Sequence, residues 1–318
     1  MSTRILTTSG LSADPNGGVY LPSAAERAAY TALFTAPATG GRGLWFDASV
    51  AANYANSGPG DDPAGFKAYE RTGFDSAAVP ARLLTPDPVR QHHPIYIPAD
   101  EVTGKPCWLF GAGGSGANAL SNINNGALTF ASQIQSSQEV NDTPILLPTN
   151  GWSVAFKARV PAPGGTVNGV AFAAYPTGIP GGAVLGSKTL GTDGFSVEID
   201  QANGHLIAYN RRDYTLYRNN TDLRDGNWHD YVLAWDFGTH SMSAYIDGVS
   251  IANATTPYPN DISGATGCDK MVIGGLGGTA GGPDIRFGGL VSFLAFLPNQ
   301  SLGNVTYRNL VRAVMAEK

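Results

Sequence analysis

With 318 residues, the chain is long enough for one large β domain or two smaller ones. Charged residues make up 14% of it, against a usual value of about 25%, and 41 glycines and 21 prolines imply many turns on a surface made neutral by Ser, Thr, Asn and Ala. A formal charge of −5 with no basic run argues against a nucleic-acid or anionic-membrane partner, and no stretch approaches the ~20 apolar residues of a membrane helix.

Met1 to Tyr20 is polar and rich in Gly and Ser and reads as an extended arm, and its first ten residues, Met1 to Gly10, show no apolar h-region of a signal peptide. Ser23 and Glu26 have the spacing of a capping box, which predicts a short Ala-rich helix running to Phe34. Ala28, Leu33 and Phe34 are too few apolar residues to stabilise it alone, so it docks on its own domain or on another chain. From about 51 to 106 the sequence is Pro-rich and poorly periodic, predicting a long loop of the kind that usually serves function or interaction. His92-His93 lies in it without a third metal ligand at any recognisable spacing, and reads as an ordinary loop pair. Cys107 and Cys268 are far apart and show no zinc-site spacing; buried thiols and a disulfide between them both remain open.

Strand signals become clear from Trp152. Trp152, Val154, Phe156, Ala158 and Val160 share one face, with Ser153, Lys157 and Arg159 on the other. Val170 to Tyr175 is a second apolar run, followed by a Pro/Gly-rich loop to Gly186. Phe195, Val197 and Ile199 face in, Ser196, Glu198 and Asp200 face water, and Ala202-Asn203-Gly204 turns the chain back into His205 to Tyr209. The next stretch concentrates Arg211, Arg212, Tyr214, Tyr217 and Arg218. Rings and fork-shaped guanidinium donors suit sugar faces or a protein partner, so these five are the candidate binding residues. The alternative is that the tyrosines pack on the sheet edge and the arginines solvate it. Asp213, Asp222 and Asp225 raise calcium, but no spaced acidic loop supports it, so neither metal nor cofactor is expected.

Asp225 to Thr255 reads as an antiparallel meander. Tyr231, Leu233, Trp235 and Phe237 alternate, as do Met242, Ala244 and Ile246; Asp247-Gly248 supplies a type I′ turn, and Val249 and Ile251 resume the buried face. Phe287 to Leu297 is apolar on both faces, with Phe287, Gly289, Val291, Phe293, Ala295 and Leu297 on one and Leu290, Leu294 and Phe296 on the other. Both need cover, from the 51–106 loop, the terminal helix or a neighbouring subunit. Leu290, Leu294 and Phe296, with Leu33 and Phe34, are therefore the candidate assembly surface. A helix over about Ser301 to Ala316 ends the chain, with Leu302, Val305, Leu310, Val311 and Val314 for one docked face.

Gly226-Asn227-Trp228-His229 before an alternating strand, a short hairpin and the Ile246-Asp247-Gly248 turn together resemble the heart of a laminin-G-like domain. Gly43 to Ser49, Thr103 to Gly111, Met271 to Gly275 and Phe287 to Val291 are similar to other strands of that family, in the family's order. The resemblance implies an all-β, concanavalin A-like (laminin-G-like) antiparallel jelly-roll sandwich. Residues 1–42 form an N-terminal arm with a short helix; residues 43–318 form the jelly-roll domain and end in a short C-terminal helix.

Glycosidases that share this sandwich carry Glu-x-Asp-x-x-Glu on a strand. Here Glu198 and Asp200 occupy the first two positions but the third is Asn203, which leaves no proton donor for the leaving oxygen, so no enzyme is expected. The leading expectation is a non-enzymatic virion module, a phage capsid-decoration, head-fibre or tail-associated protein. It is made in a host cytoplasm, bound to other virion proteins or to itself, and able to touch a cell-surface glycan. The alternative is an extracellular or bacterial-surface, lectin-like carbohydrate-binding module; a glycoside hydrolase stands third.

Overall fold

The computed structural model describes residues 12–13, 19–20, 23–34, 44–48, 68–70, 82–86, 95–110, 128–131, 151–172, 180–187, 195–210, 214–236, 238–255, 270–274, 287–298 and 302–318. In chain order its elements begin with β1 (Ser12–Ala13), β2 (Val19–Tyr20), α1 (Ala24–Phe34), β3 (Leu44–Asp47), β4 (Ala68–Glu70), β5 (Arg82–Pro86), β6 (Ile95–Ile97) and β7 (Cys107–Phe110). They continue with β8 (Leu128–Ala131), β9 (Gly151–Arg159), β10 (Thr166–Val167), β11 (Val170–Ala171), β12 (Gly182–Ser187), β13 (Phe195–Ile199), β14 (Leu206–Asn210) and β15 (Tyr214–Arg218). The last are β16 (Trp228–Asp236), β17 (Ser241–Ile246), β18 (Val249–Thr255), β19 (Lys270–Ile273), β20 (Gly289–Pro298) and α2 (Val305–Glu317).

Two eight-stranded sheets face each other across one apolar core, and the fold is the antiparallel β-sandwich that alternation predicts. The first sheet runs β18-β17-β16-β9-β20-β7-β6, with β3 also paired to β20; the second runs β15-β14-β13-β12-β19-β8-β5-β4. Trp152, Val154, Phe156 and Ala158 of β9, Val160 just after it, and Tyr231, Leu233 and Trp235 of β16 lie in the core as their period of two requires. Val197, Ile199, Leu206, Ala208 and Ile273 reach it from the second sheet. Phe156 and Tyr231, paired across β9 and β16, stack with ring centroids 4.6 Å apart. Asp247 and Gly248 both adopt positive φ, as the turn between β17 and β18 demands. Val249 departs from expectation: next to that turn it is 69% exposed, and only Ile251 packs on the core.

Strand β20 breaks its own alternation. A register shift between Val291 and Phe293, opposite β9, inserts one residue, so the faces exchange there. Before the shift Phe287 and Val291 face the core; after it Leu294 and Phe296 do, while Phe293, Ala295 and Leu297 turn to the other side. That outer side is covered within the chain. Ala29, Tyr30 and Leu33 of α1, Val311, Val314 and Met315 of α2 and Trp45 of β3 close over it in a second apolar layer, and Leu290 joins a third cluster with Cys107, Leu109 and Phe172. Leu33, Leu290, Leu294 and Phe296, expected to present an assembly surface, are each 0% exposed and offer none; the side chain of Phe34 lies outside the described residues.

Both helices end as their sequences dictate. Glu26 Oε2 accepts from Ser23 N at 2.7 Å and Ser23 Oγ from Glu26 N at 3.0 Å, completing the capping box. Asn304 caps α2, and the Nζ atoms of Lys157 and Lys105 donate to its last carbonyls, at Met315 and Glu317, both at 3.0 Å. Within the interval expected to be one long loop, β4 and β5 extend the second sheet and β6 the first. Runs such as Leu83-Leu84 and Ile95-Tyr96-Ile97 are too short to show a period among prolines. His92-His93, Phe237 and Cys268 lie outside the described residues; Cys107 is a free thiol, pushed up in pKa by burial and by nearby Asp100.

Candidate ligand-binding face

With one sheet roofed by helices, the outer side of the second sheet is where polar chemistry collects. Antiparallel pairing of β13 with β14 sets Ser196 opposite Tyr209 and Glu198 opposite Ile207; pairing of β14 with β15 sets Ile207 opposite Arg218. Because Val197, Leu206, Ala208 and Tyr217 point into the core, these partners all point outward together. On the other flank, β12 offers only small neighbours, Ala183 beside Glu198 and Gly186 beside Ser196.

The hairpin carrying this face is held rigidly at one end. Asp200 N donates to His205 O at 2.8 Å and Gly204 N to Asp200 O at 2.7 Å, while Asp200 caps its own turn through Ala202 N and Asn203 Nδ2. Gly204 sits at φ +70°, where a side chain would collide with Asp222. The Arg224 guanidinium grips Asp222 twice, at 2.9 and 2.8 Å, and reaches Gln201 O at 2.6 Å. Those Arg224 bonds hold Asp222 below the usual carboxylate range. Buried Asn219 extends the edge, accepting from Leu206 N at 2.6 Å.

Glu198 is the unusual member. Expected on the wet side, it is only 7% exposed, and Ser196 beside it is 0% exposed. One carboxylate oxygen accepts from Ser196 Oγ at 2.7 Å, and among the described residues no cation pairs with the group. Burial, reinforced by Asp200 and only partly offset by the Ser196 bond, raises its pKa. Tyr209 is half-buried next to it, and exposed Arg218 reaches the Tyr209 hydroxyl at 3.4 Å. Ile207, 1% exposed, lies between Glu198 and Arg218 on this face, so the groups it presents are exposed Arg218 and half-buried Tyr209, with the Glu198 carboxyl beneath. Such a set can accept and donate hydrogen bonds to hydroxyl groups and pack a ring against an apolar sugar face.

Of the five candidate binding residues, only Arg218 stands on this face with a described side chain. Tyr217 points the other way, 2% exposed in the core, and burial raises its hydroxyl pKa; it is a packing residue. Arg211 and Arg212 lie outside the described residues, and Tyr214 is described only as the backbone partner of Asn210. Glu198, Ser196 and Tyr209 were not singled out for binding, since nothing in an alternating strand tells which outward face is covered.

No family model and no curated protein matches the chain. Solved structures resemble it distantly. The Ruminococcus gnavus IT-sialidase CBM40 bound to α2,3-sialyllactose shares 15% identity over 56% of this chain and 89% of its own, with a TM-score of 0.41. A leech intramolecular trans-sialidase shares 15% over 56% of this chain and 25% of its own, with a TM-score of 0.41. Botulinum neurotoxin type C, described as entering cells through two ganglioside molecules, shares 12% over 87% of this chain and 53% of its own, with a TM-score of 0.49. At this distance none of them bears on what this chain binds.

Two other polar clusters are structural. Asp100, 2% exposed, accepts from Trp228 Nε1 at 2.8 Å, Asn168 Nδ2 at 2.9 Å, Arg159 Nη1 at 3.0 Å and the amides of Val102 and Thr103. Burial opposes its charge, but these bonds prevail and its pKa is lowered. His229 bridges Asp247, 2.7 Å from Nδ1, and Asp225, 3.1 Å from Nε2, tying two turns together. Among the described residues no group of His, Cys, Asp or Glu is arranged to hold a metal ion, and no helix is long and apolar enough to cross a membrane.

Proposed function

We propose that this chain is a non-enzymatic, lectin-like carbohydrate-binding module of the laminin-G-like kind, with its ligand on the outer face of β12–β15. The observation that carries the reading is Glu198, a carboxyl 7% exposed, without a cationic partner among the described residues, held by Ser196, with Tyr209 and Arg218 on the same face. Its hydrogen-bond partner among the described residues is Ser196, and a ligand hydroxyl would add a second bond to a carboxyl that accepts through both oxygens. The non-enzymatic reading is supported by the neighbouring turn: Asp200 spends both oxygens on it, and position 203 is an asparagine where the glycosidase motif has its acid.

The virion reading loses one of its supports, because helices of this chain provide the cover that β20 needed. An extracellular, cell-surface partner fits the lectin-like reading better. The test is an array of neutral and acidic oligosaccharides probed with the full chain. Binding that Tyr209→Ala and Arg218→Ala both weaken about tenfold, the effect of roughly 1.4 kcal/mol, supports it. Binding insensitive to both, or release of sugar products abolished by Glu198→Gln, overturns it.

A further inference from the structure

Three ionisable side chains meet in the apolar layer beneath the helices. Lys318, at the C-cap of α2, places Nζ 2.8 Å from Asp47 Oδ2 and in a short contact with Glu26 Oε1. The three side chains are 5%, 0% and 4% exposed. Each is aimed there by its own element. Asp47 pairs with Phe293 two positions after Trp45, so it shares Trp45's helix-facing side of β3. Glu26 is the N3 residue of the capping box, fixed through its other oxygen by Ser23 N. Tyr30, Trp45 and Phe293 form an edge-to-face aromatic run in the same layer, with Met315 among its buried neighbours.

Held as ions in this apolar layer, an ammonium and two carboxylates each carry a desolvation cost of roughly several kcal/mol. We propose that Lys318 and Asp47 are the reactive pair of an intramolecular isopeptide bond, with Glu26 carrying the protons. Glu26 takes a proton from the ammonium, and the neutral amine adds to Cγ of Asp47. The Cγ–Oδ2 bond then breaks. Nitrogen gives up two protons in all; both leave in the water molecule that takes Oδ2, and Glu26 ends as the carboxylate it began as. Ammonium and carboxylate become amide and water, with no oxidant or cofactor. Fixed proximity supplies the advantage that an intermolecular amide formation in water lacks. The bond would clamp α2 to β3 and close the helix layer covalently.

Intact-mass spectrometry of the purified full chain tests this. The mass is expected to fall short of the sequence mass by one water, and trypsin is expected to give a branched peptide joining residues 313–318 to residues 43–67. Glu26→Gln, folded by circular dichroism, is expected to show the full mass, as is Lys318→Arg, which keeps the charge but not the amine nucleophile. Full mass in the wild-type chain after prolonged incubation overturns the proposal. So does water loss that persists in Lys318→Arg, and water loss undiminished in Glu26→Gln removes that residue's role.

Discussion

Leu33 is the single side chain through which α1 can be tested as part of the fold. It is 0% exposed in the helix layer with Tyr30, Trp45 and Met315, and the other buried apolar side chains described on α1 are Ala29 and Tyr30. Leu33→Ala removes three buried carbons and leaves a cavity that a helix pinned by Glu26 cannot collapse into. The expected cost is about 3 kcal/mol, within the ~2–5 kcal/mol of fully buried Leu→Ala changes. Urea unfolding monitored by tryptophan fluorescence reads it as a lower midpoint at unchanged slope. Val249→Thr, at a 69% exposed position, is the control and is expected to change stability by less than about 0.5 kcal/mol. A Leu33→Ala cost under about 1 kcal/mol would show that α1 is a detachable arm, as the sequence suggested, and that β20 finds its cover elsewhere.

Two titrating clusters give further expectations. His229 is raised above the ordinary imidazole value of 6.5: burial opposes the charged form, but the bonds to Asp247 and Asp225 outweigh it. Its contribution is complete below 6.5 and is lost as pH rises through the raised value; thermal unfolding followed across that range should show the loss, and Asp247→Asn should flatten it. A profile unchanged by Asp247→Asn would refute the bridge. Asp100 is lowered below 3.8, so its contribution is present above that value and disappears as pH falls through the lowered one. Asp100→Asn removes the buried partner of Arg159, 7% exposed, leaving it the more exposed Glu101 at 3.0 Å, and is expected to cost about 2–3 kcal/mol in urea unfolding, whereas a cost below about 1 kcal/mol would contradict its place as a hub.

Strands β9, β16 and β17 were legible because one face is apolar and the other is not, and the structure places Trp152, Phe156, Leu233, Trp235 and Met242 where alternation put them. The capping box at Ser23 and the positive-φ turn at Asp247-Gly248 were legible because each is local chemistry. What failed was non-local. Strand β20 is apolar on both sides, so no contrast marked where its extra residue exchanges the faces at Ser292. Tyr217 looked like a binding residue since tyrosine suits a core and a rim equally, and only pairing with Ala208 showed which side it takes. Glu198 looked wetted for the same reason, because a strand encodes two faces but not what lies over them. The Glu26–Asp47–Lys318 trio joins residues from both ends of the sequence, and no spacing announces it.

The central claim is that the outer face of β12–β15 is a sugar site. Titrate wild-type, Tyr209→Ala and Glu198→Gln chains by calorimetry with the tightest-binding oligosaccharide of the array, after matched unfolding midpoints show all three folded. The account predicts saturable binding in the wild type, about tenfold weaker in Tyr209→Ala, and an altered pH dependence in Glu198→Gln, where the buried carboxyl of this face no longer titrates. Identical affinity and pH dependence in all three chains would contradict it and move the ligand away from this sheet.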